Sequence, residues 1–194
     1  EDPNPVLFFE HKALYRSTKG MVPSAYYQLE IGKAAVASEG MLASVITYGS
    51  GVHWAMELKE QHGLDVEIID LRTLLPLDTD CIYQSVRKTG KALILHEDSL
   101  FGGIGGEISA LINEHCFESL DAPVRRVGSL DTPVPFAVAL EEQFLPKKRF
   151  EEIVREAKQM KEEFENYKEE EDIDSDDDDG LDDFLSGLGI TRPK

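Results

Sequence analysis

The chain has 194 residues and carries 38 acidic against 20 basic side chains, a formal charge of −18. An acidic surface of this kind repels phosphate backbones, which argues against nucleic acid as a partner. No apolar run is long enough to cross a bilayer and no signal peptide opens the sequence, so no membrane association is expected.

The charge is unevenly spread. Lys161 to Lys194 hold 14 Asp and Glu against 4 Lys and Arg, a net of −10, which leaves the first 160 residues at −8. About 150 residues is an ordinary size for one domain with one core. The two cysteines, Cys81 and Cys116, sit in apolar helical patterns and read as reduced core thiols of a cytosolic protein. The sequence opens Glu1-Asp2-Pro3 without a methionine, which suggests a piece of a longer polypeptide.

In chain order, Val6 to Phe9 reads as a short buried strand, and Tyr15 to Ser24, with Gly20 and Pro23, as a linker. Lys33–Ser38 and Leu42–Tyr48 are apolar runs around Glu39-Gly40, the pattern of a hairpin. Strand Leu42–Tyr48 leads through Gly49-Ser50-Gly51 into a helix from Val52 to about His62, ended by Gly63. Strand Val66–Asp70 follows, then a loop closed by Pro76. Asp78 is placed to N-cap the next helix, which runs to Thr89 and stops at Gly90.

Strand Ala92–His96 precedes the turn Gly102-Gly103-Ile104-Gly105-Gly106. Ile104, Ile108, Leu111, Ile112 and His115 then share one helical face. Pro123 precedes strand Val124–Val127, and Phe150, Ile153, Val154, Ala157, Met160 and Phe164 form a last apolar stripe at helical spacing. Strand and helix alternate four times with short connections, which predicts an α/β fold: a three-layer αβα sandwich around a mostly parallel sheet. The expected organisation is 1–24 as the end of a preceding domain and a linker, 25–167 as the domain, and 168–194 as an acidic disordered tail. A short acidic-apolar docking motif at Leu181–Leu188 is the alternative reading of part of that tail. The tail lacks the ligand spacing of an EF-hand loop.

Chemistry-bearing residues are few. Gly49-Ser50-Gly51 and Gly102–Gly106 each join a strand to a helix, where backbone amides can hold an anion. Neither matches a phosphate-binding fingerprint, and tight turns with close helix–sheet packing explain them as well. His96 ends a strand at the carboxyl edge of the expected sheet, where open α/β folds bind ligands. It is therefore the one candidate catalytic side chain, weighed against a histidine that only hydrogen-bonds a neighbouring loop. His53 and His62 fall on different helical faces and cannot share a metal, and His11 cannot be placed. No serine triad, zinc cluster or nucleophile elbow is visible.

Several segments together resemble one family. Residues 2–15, from Asp2-Pro3-Asn4-Pro5 through Phe8-Phe9-Glu10-His11-Lys12-Ala13-Leu14-Tyr15, resemble the end of the first domain in β subunits of pyruvate and branched-chain 2-oxo acid dehydrogenases. So do Val45-Ile46-Thr47-Tyr48-Gly49, Glu67-Ile68-Ile69-Asp70-Leu71-Arg72-Thr73-Leu74 with Pro76-Leu77-Asp78, and His96-Glu97-Asp98 with Gly102–Ile108. Asp121-Ala122-Pro123-Val124-Arg125-Arg126-Val127 and Asp131-Thr132-Pro133-Val134-Pro135 complete the match, which covers about residues 2–160 in order.

The resemblance implies a transketolase C-terminal-type domain in a thiamine-dependent enzyme that decarboxylates a 2-oxo acid and passes the acyl group to a lipoyl arm. Thiamine diphosphate and magnesium would lie outside this chain, held by the α-half and the first β domain, so the chain alone should be inactive. Implied partners are the α-half, a second β-half across a dimer interface, and the subunit-binding domain of the acyltransferase core. Asp121, just ahead of Ala122-Pro123, stands where the family places an acidic docking residue. Asp2 and Asn4 stand where it helps hold a potassium ion. A cytoplasmic or mitochondrial-matrix location would follow. Rival readings are the C-terminal domain of 1-deoxyxylulose-phosphate synthase or transketolase, and an interaction module with no catalytic partner. The family pattern ends soon after the last helix, whereas this chain continues into its acidic tail.

Overall fold

The computed structural model describes residues 3–5, 7 and 9–156; the expected tail, its docking motif and the end of the last apolar stripe lie outside them. The protein falls into two compact units, 1–148 and 149–194. Of the second, residues 149–156 are helical and carry Phe150, Ile153 and Val154 of the stripe.

The first unit holds five strands: β1 (Ala35–Ser38), β2 (Ala43–Thr47), β3 (Val66–Asp70), β4 (Ala92–Ser99) and β5 (Arg125–Ser129). Its helices are α1 (Leu14–Ser17), α2 (Ser50–His62), α3 (Thr79–Thr89), α4 (Ile104–Cys116) and α5 (Val138–Phe144), with a 3₁₀ turn at Phe117–Ser119. The sheet order is β1-β3-β2-β4-β5. β2 pairs parallel with β3 and β4, and β4 parallel with β5.

β2 explains the layering. Ser44, Val45, Ile46 and Thr47 are all buried, which a strand achieves only when both faces are covered. Ile46 belongs to the larger core cluster with Ile69, Ile94, Ile82 and Val86 of α3, and Ile108 and Ile112 of α4. Thr47 lies against Gly51 of α2, where a side chain would collide with its hydroxyl. Helices therefore cover both faces, and the α/β three-layer expectation holds. The boundaries hold as well: Asp78 Oδ1 accepts from the Cys81 amide at 3.3 Å, and Gly63 and Gly90 end their helices in the left-handed conformation.

Several local expectations do not hold. The predicted hairpin is absent: β1 pairs antiparallel with β3, Ala35 opposite Asp70, while β2 sits on the other side of β3. The connecting loop instead crosses the start of β3, with Met41 and Leu42 amides both donating to the Asp65 carbonyl at 3.0 and 2.7 Å. Gly40 permits the crossing, because any Cβ there would penetrate the Val66 backbone. The half-exposed strand takes the edge and the strand buried on both faces takes the centre. Leu7 and Phe9, the described members of the expected first strand, are exposed coil, and α1 occupies part of the expected linker. β4 runs three residues beyond His96. On α4 it is Cys116, not His115, that is buried; His115 lies on the surface against Tyr83, ring centroids 4.9 Å apart.

Several buried polar groups find partners within this frame, Thr47 Oγ1 and His96 Nε2 excepted. Ser44 Oγ meets Ser85 Oγ at 2.6 Å and Thr89 Oγ1 at 2.7 Å. The buried Glu67 carboxylate pairs with Lys88, which also reaches Glu39 at 3.0 Å. Replacing Gly40→Ala should destabilise the domain by about 1–3 kcal/mol, because the obstruction is backbone and cannot rotate away. Chemical denaturation should show a lower midpoint with an unchanged slope.

Candidate functional site

In this topology the chain leaves β2 toward one neighbour through α2 and leaves β4 toward the other through α4. The crevice between the carboxyl ends of β2 and β4 is thus the topological switch point, the usual ligand position of an open α/β sheet. It is flanked by Tyr48, Gly49 and Ser50 after β2 and by His96, Glu97 and Asp98 in β4.

His96 is there, as its place in the sequence requires, but it is fully buried. Its imidazole stands under the first turn of α4. Nδ1 lies 3.1 Å from the Asp98 carbonyl, so Nδ1 carries the proton and Nε2 faces inward with no hydrogen-bond partner. Three glycines make the room. A Cβ on Gly105 would stand 2.5 Å from Nε2, and one on Gly103 or on Gly128 would stand 2.9 Å from Cε1. The glycine-rich turn therefore serves close packing around a histidine. Burial holds the His96 pKa below its ordinary value, with the nearby Arg126 acting the same way; the Asp98 carbonyl and carboxylate oppose them.

Sequence reasoning missed the polar group that does reach the crevice surface. His11 Nε2 lies 2.9 Å from Glu97 Oε2 and 3.0 Å from Ser50 Oγ. Separations of 86 and 39 residues leave no pattern by which to find this cluster. Both contacts fall on one ring nitrogen, so it is not a nucleophile–base–acid relay, which needs a different nitrogen for each partner. Beside it Tyr48 is half-buried, its hydroxyl pKa pushed up by burial and then by Asp98 and Glu97. Burial likewise raises both thiols, Cys81 and Cys116, as suits core residues.

Asp121 lies at the opposite, amino edge. Its amide donates to the Gly90 carbonyl at 2.8 Å, its carboxylate covers the C-terminal cap of α3, and Lys91 Nζ stands 3.5 Å away. The side chain is largely exposed, 65 %, so it is open to a partner. Asn4 is exposed, and Asp2 lies outside the described residues. Among the described residues no group of three or more His, Cys, Asp or Glu is arranged to hold a metal ion.

The histidine's burial has a signed consequence. The folded chain keeps His96 neutral, while the unfolded chain titrates near 6.5 and so takes up the proton first. His96 thus contributes stability that is complete above pH 6.5 and is lost as pH falls below it. Unfolding free energy measured from pH 7.5 to 5 should fall more steeply for the parent chain than for His96→Asn. Gly105→Ala, which drives a methyl group into the ring, should cost about 1–3 kcal/mol at neutral pH by the same measurement.

Residues 32–149 match the family described as transketolase, C-terminal domain. The chain is 47 % identical over 148 residues to the 2-oxoisovalerate dehydrogenase subunit beta of Bacillus subtilis (strain 168), a match covering 74 % of this chain and 45 % of that protein. It is 45 % identical over 148 residues to the pyruvate dehydrogenase E1 component subunit beta of the same organism, covering 75 % of this chain and 45 % of that one. The chain thus spans less than half the length of these relatives. Among solved structures, a split gene transketolase described as an inactive beta4 tetramer superposes with a TM-score of 0.57 at 27 % identity, over 71 % of this chain and 45 % of that chain. Fold, family match and sequence likeness converge: the chain belongs to the transketolase C-terminal domain family, in the form that 2-oxo acid dehydrogenase β subunits carry.

Proposed function

We propose that this chain is the C-terminal domain of the β-half of a thiamine-dependent 2-oxo acid dehydrogenase, acting as a scaffold that holds neighbouring subunits while the reaction proceeds elsewhere. The observation that carries this reading is the 45–47 % identity to two such β subunits, against 27 % to a transketolase of the same fold. That difference also disfavours the transketolase rival.

The site chemistry agrees with a holding role. The glycine-rich turn ahead of α4 packs tightly at positions 103 and 105 against the Ser99 carbonyl and the His96 ring, the close packing of a structural turn. Thiamine diphosphate and magnesium are proposed to be held by the α-half and the first β domain. Potassium at Asp2 and Asn4 and a cytoplasmic or mitochondrial-matrix location belong to the same reading.

Exposed apolar side chains supply the material for subunit contacts. Phe101, Leu130, Val134, Phe136, Val138 and Leu140 all come from the segments that follow β4 and β5 and are solvent-exposed in the single chain. We assign them to the second β-half. Asp121, at the other end of the sheet, is assigned to a cationic side chain of the acyltransferase core's subunit-binding domain. Such rim charges act chiefly on association rate and specificity.

The decisive experiment is to join the full-length β polypeptide to its α partner, with thiamine diphosphate, magnesium and lipoylated acyltransferase, and assay a panel of 2-oxo acids. Turnover of at least one of them is expected; an assembled complex that oxidises none would overturn the reading. In that assembly Asp121→Ala should weaken capture of the subunit-binding domain by about 1–3 kcal/mol, read by titration calorimetry. Phe136→Glu should lower the proportion of paired β-halves in sedimentation, with the unfolding midpoint little changed because the ring is exposed in the monomer.

A further inference from the structure

The chain's own amino-terminal segment is tethered across the rim of the crevice at the switch point. His11 reaches Ser50 and Glu97, at 3.0 and 2.9 Å, and seven residues later Thr18 Oγ1 lies 3.4 Å from His53 Nε2. The two tether points on the segment flank α1. Their targets on α2, Ser50 and His53, are three apart and share a helical face. The segment is also ordered internally: Leu14 and Thr18 amides donate to the His11 and Leu14 carbonyls at 3.0 Å each, and the Tyr15 hydroxyl donates to Glu10. Local order in the segment thus fixes where His11 points.

We propose that residues 9–18 form a strap, and that the crevice between β2 and β4 is an intrachain docking surface for it, with Glu97 and Ser50 as the residues that select His11. A carboxylate only accepts hydrogen bonds, so the Glu97 contact requires the proton on His11 Nε2, and Ser50 Oγ shares that donor or turns its own proton to Glu97. Next to the pair in sequence stand Asp98, after Glu97 on β4, and Glu10 and Lys12, on either side of His11. Asp98 adds to the negative field of Glu97, which suits an N–H donor or an imidazolium and disfavours an anion. The strap thus crosses the rim of the position where related topologies admit a ligand, and ties whatever precedes residue 9 to the sheet.

The strap is tested on the 194-residue chain itself. Amide hydrogen exchange is followed at Leu14 and Thr18, together with trypsin cleavage after Lys12 and Arg16. Both sides of the pair are about one-third exposed, so releasing it should speed strap exchange and cleavage about two- to five-fold, as expected for a partly exposed charge-assisted contact. His11→Ala and Glu97→Ala should have the same effect, and combining them should add nothing. His11→Gln, which keeps a donor, should restore most of the protection, and amides of β2 and β4 should exchange at parental rates throughout. Unchanged strap exchange in both single variants, or full additivity in the double variant, would overturn the latch. Loss of protection in β2 and β4 as well would overturn it in favour of a general structural role for these side chains.

Discussion

A strand with no exposed face dictates the rest of this domain. β2 presents Ser44 and Ile46 to one side and Val45 and Thr47 to the other, all buried, and such a strand is stable only at the middle of a sheet with a helix layer on each face. From this follow the central place of β2, the departure of the chain to opposite sides after β2 and β4, and a crevice between their carboxyl ends. Even the polar members obey the constraint. Ser44 is allowed inside because Ser85 and Thr89 answer its hydroxyl, whereas Thr47 Oγ1 is left without a partner beneath α2, where only glycine fits at position 51.

Much of the fold could be read in the sequence because its signals are local. Gly63 and Gly90 mark helix ends through their left-handed caps, Asp78 marks a beginning through its side chain, and Val66, Ile68 and Ile69 stand together as a short β-branched segment. What failed was non-local. Two apolar runs separated by Glu39-Gly40 look like a hairpin, yet their pairing depends on which of them needs a neighbour on both edges. Gly40 does not close a hairpin; it lets the loop pass over β3. α5 went unread because its seven residues complete too few turns to show a period.

The site was legible in a different measure. The position of His96 at the carboxyl edge followed from counting strands, but its role could not, because the enclosing Gly103 and Gly105 come from the turn after the strand and Gly128 from β5, a distant stretch of chain. A histidine at an edge and a histidine beneath a helix have the same sequence neighbours. The His11, Ser50 and Glu97 group was invisible for the same reason. Asp121 was found only through family resemblance; its physical setting on the cap of α3 has no signature of its own.

The two ends of the sheet carry separate charged clusters, and the length of β4 keeps them apart. About six residues of strand separate Lys91, beside Asp121, from Glu97, beside His11, a distance on the order of 20 Å. That is about twice the Debye length at physiological salt, so a charge altered at one end is scarcely felt at the other. A substitution can therefore retune the polarity of the amino edge without disturbing the charged cluster at the opposite edge.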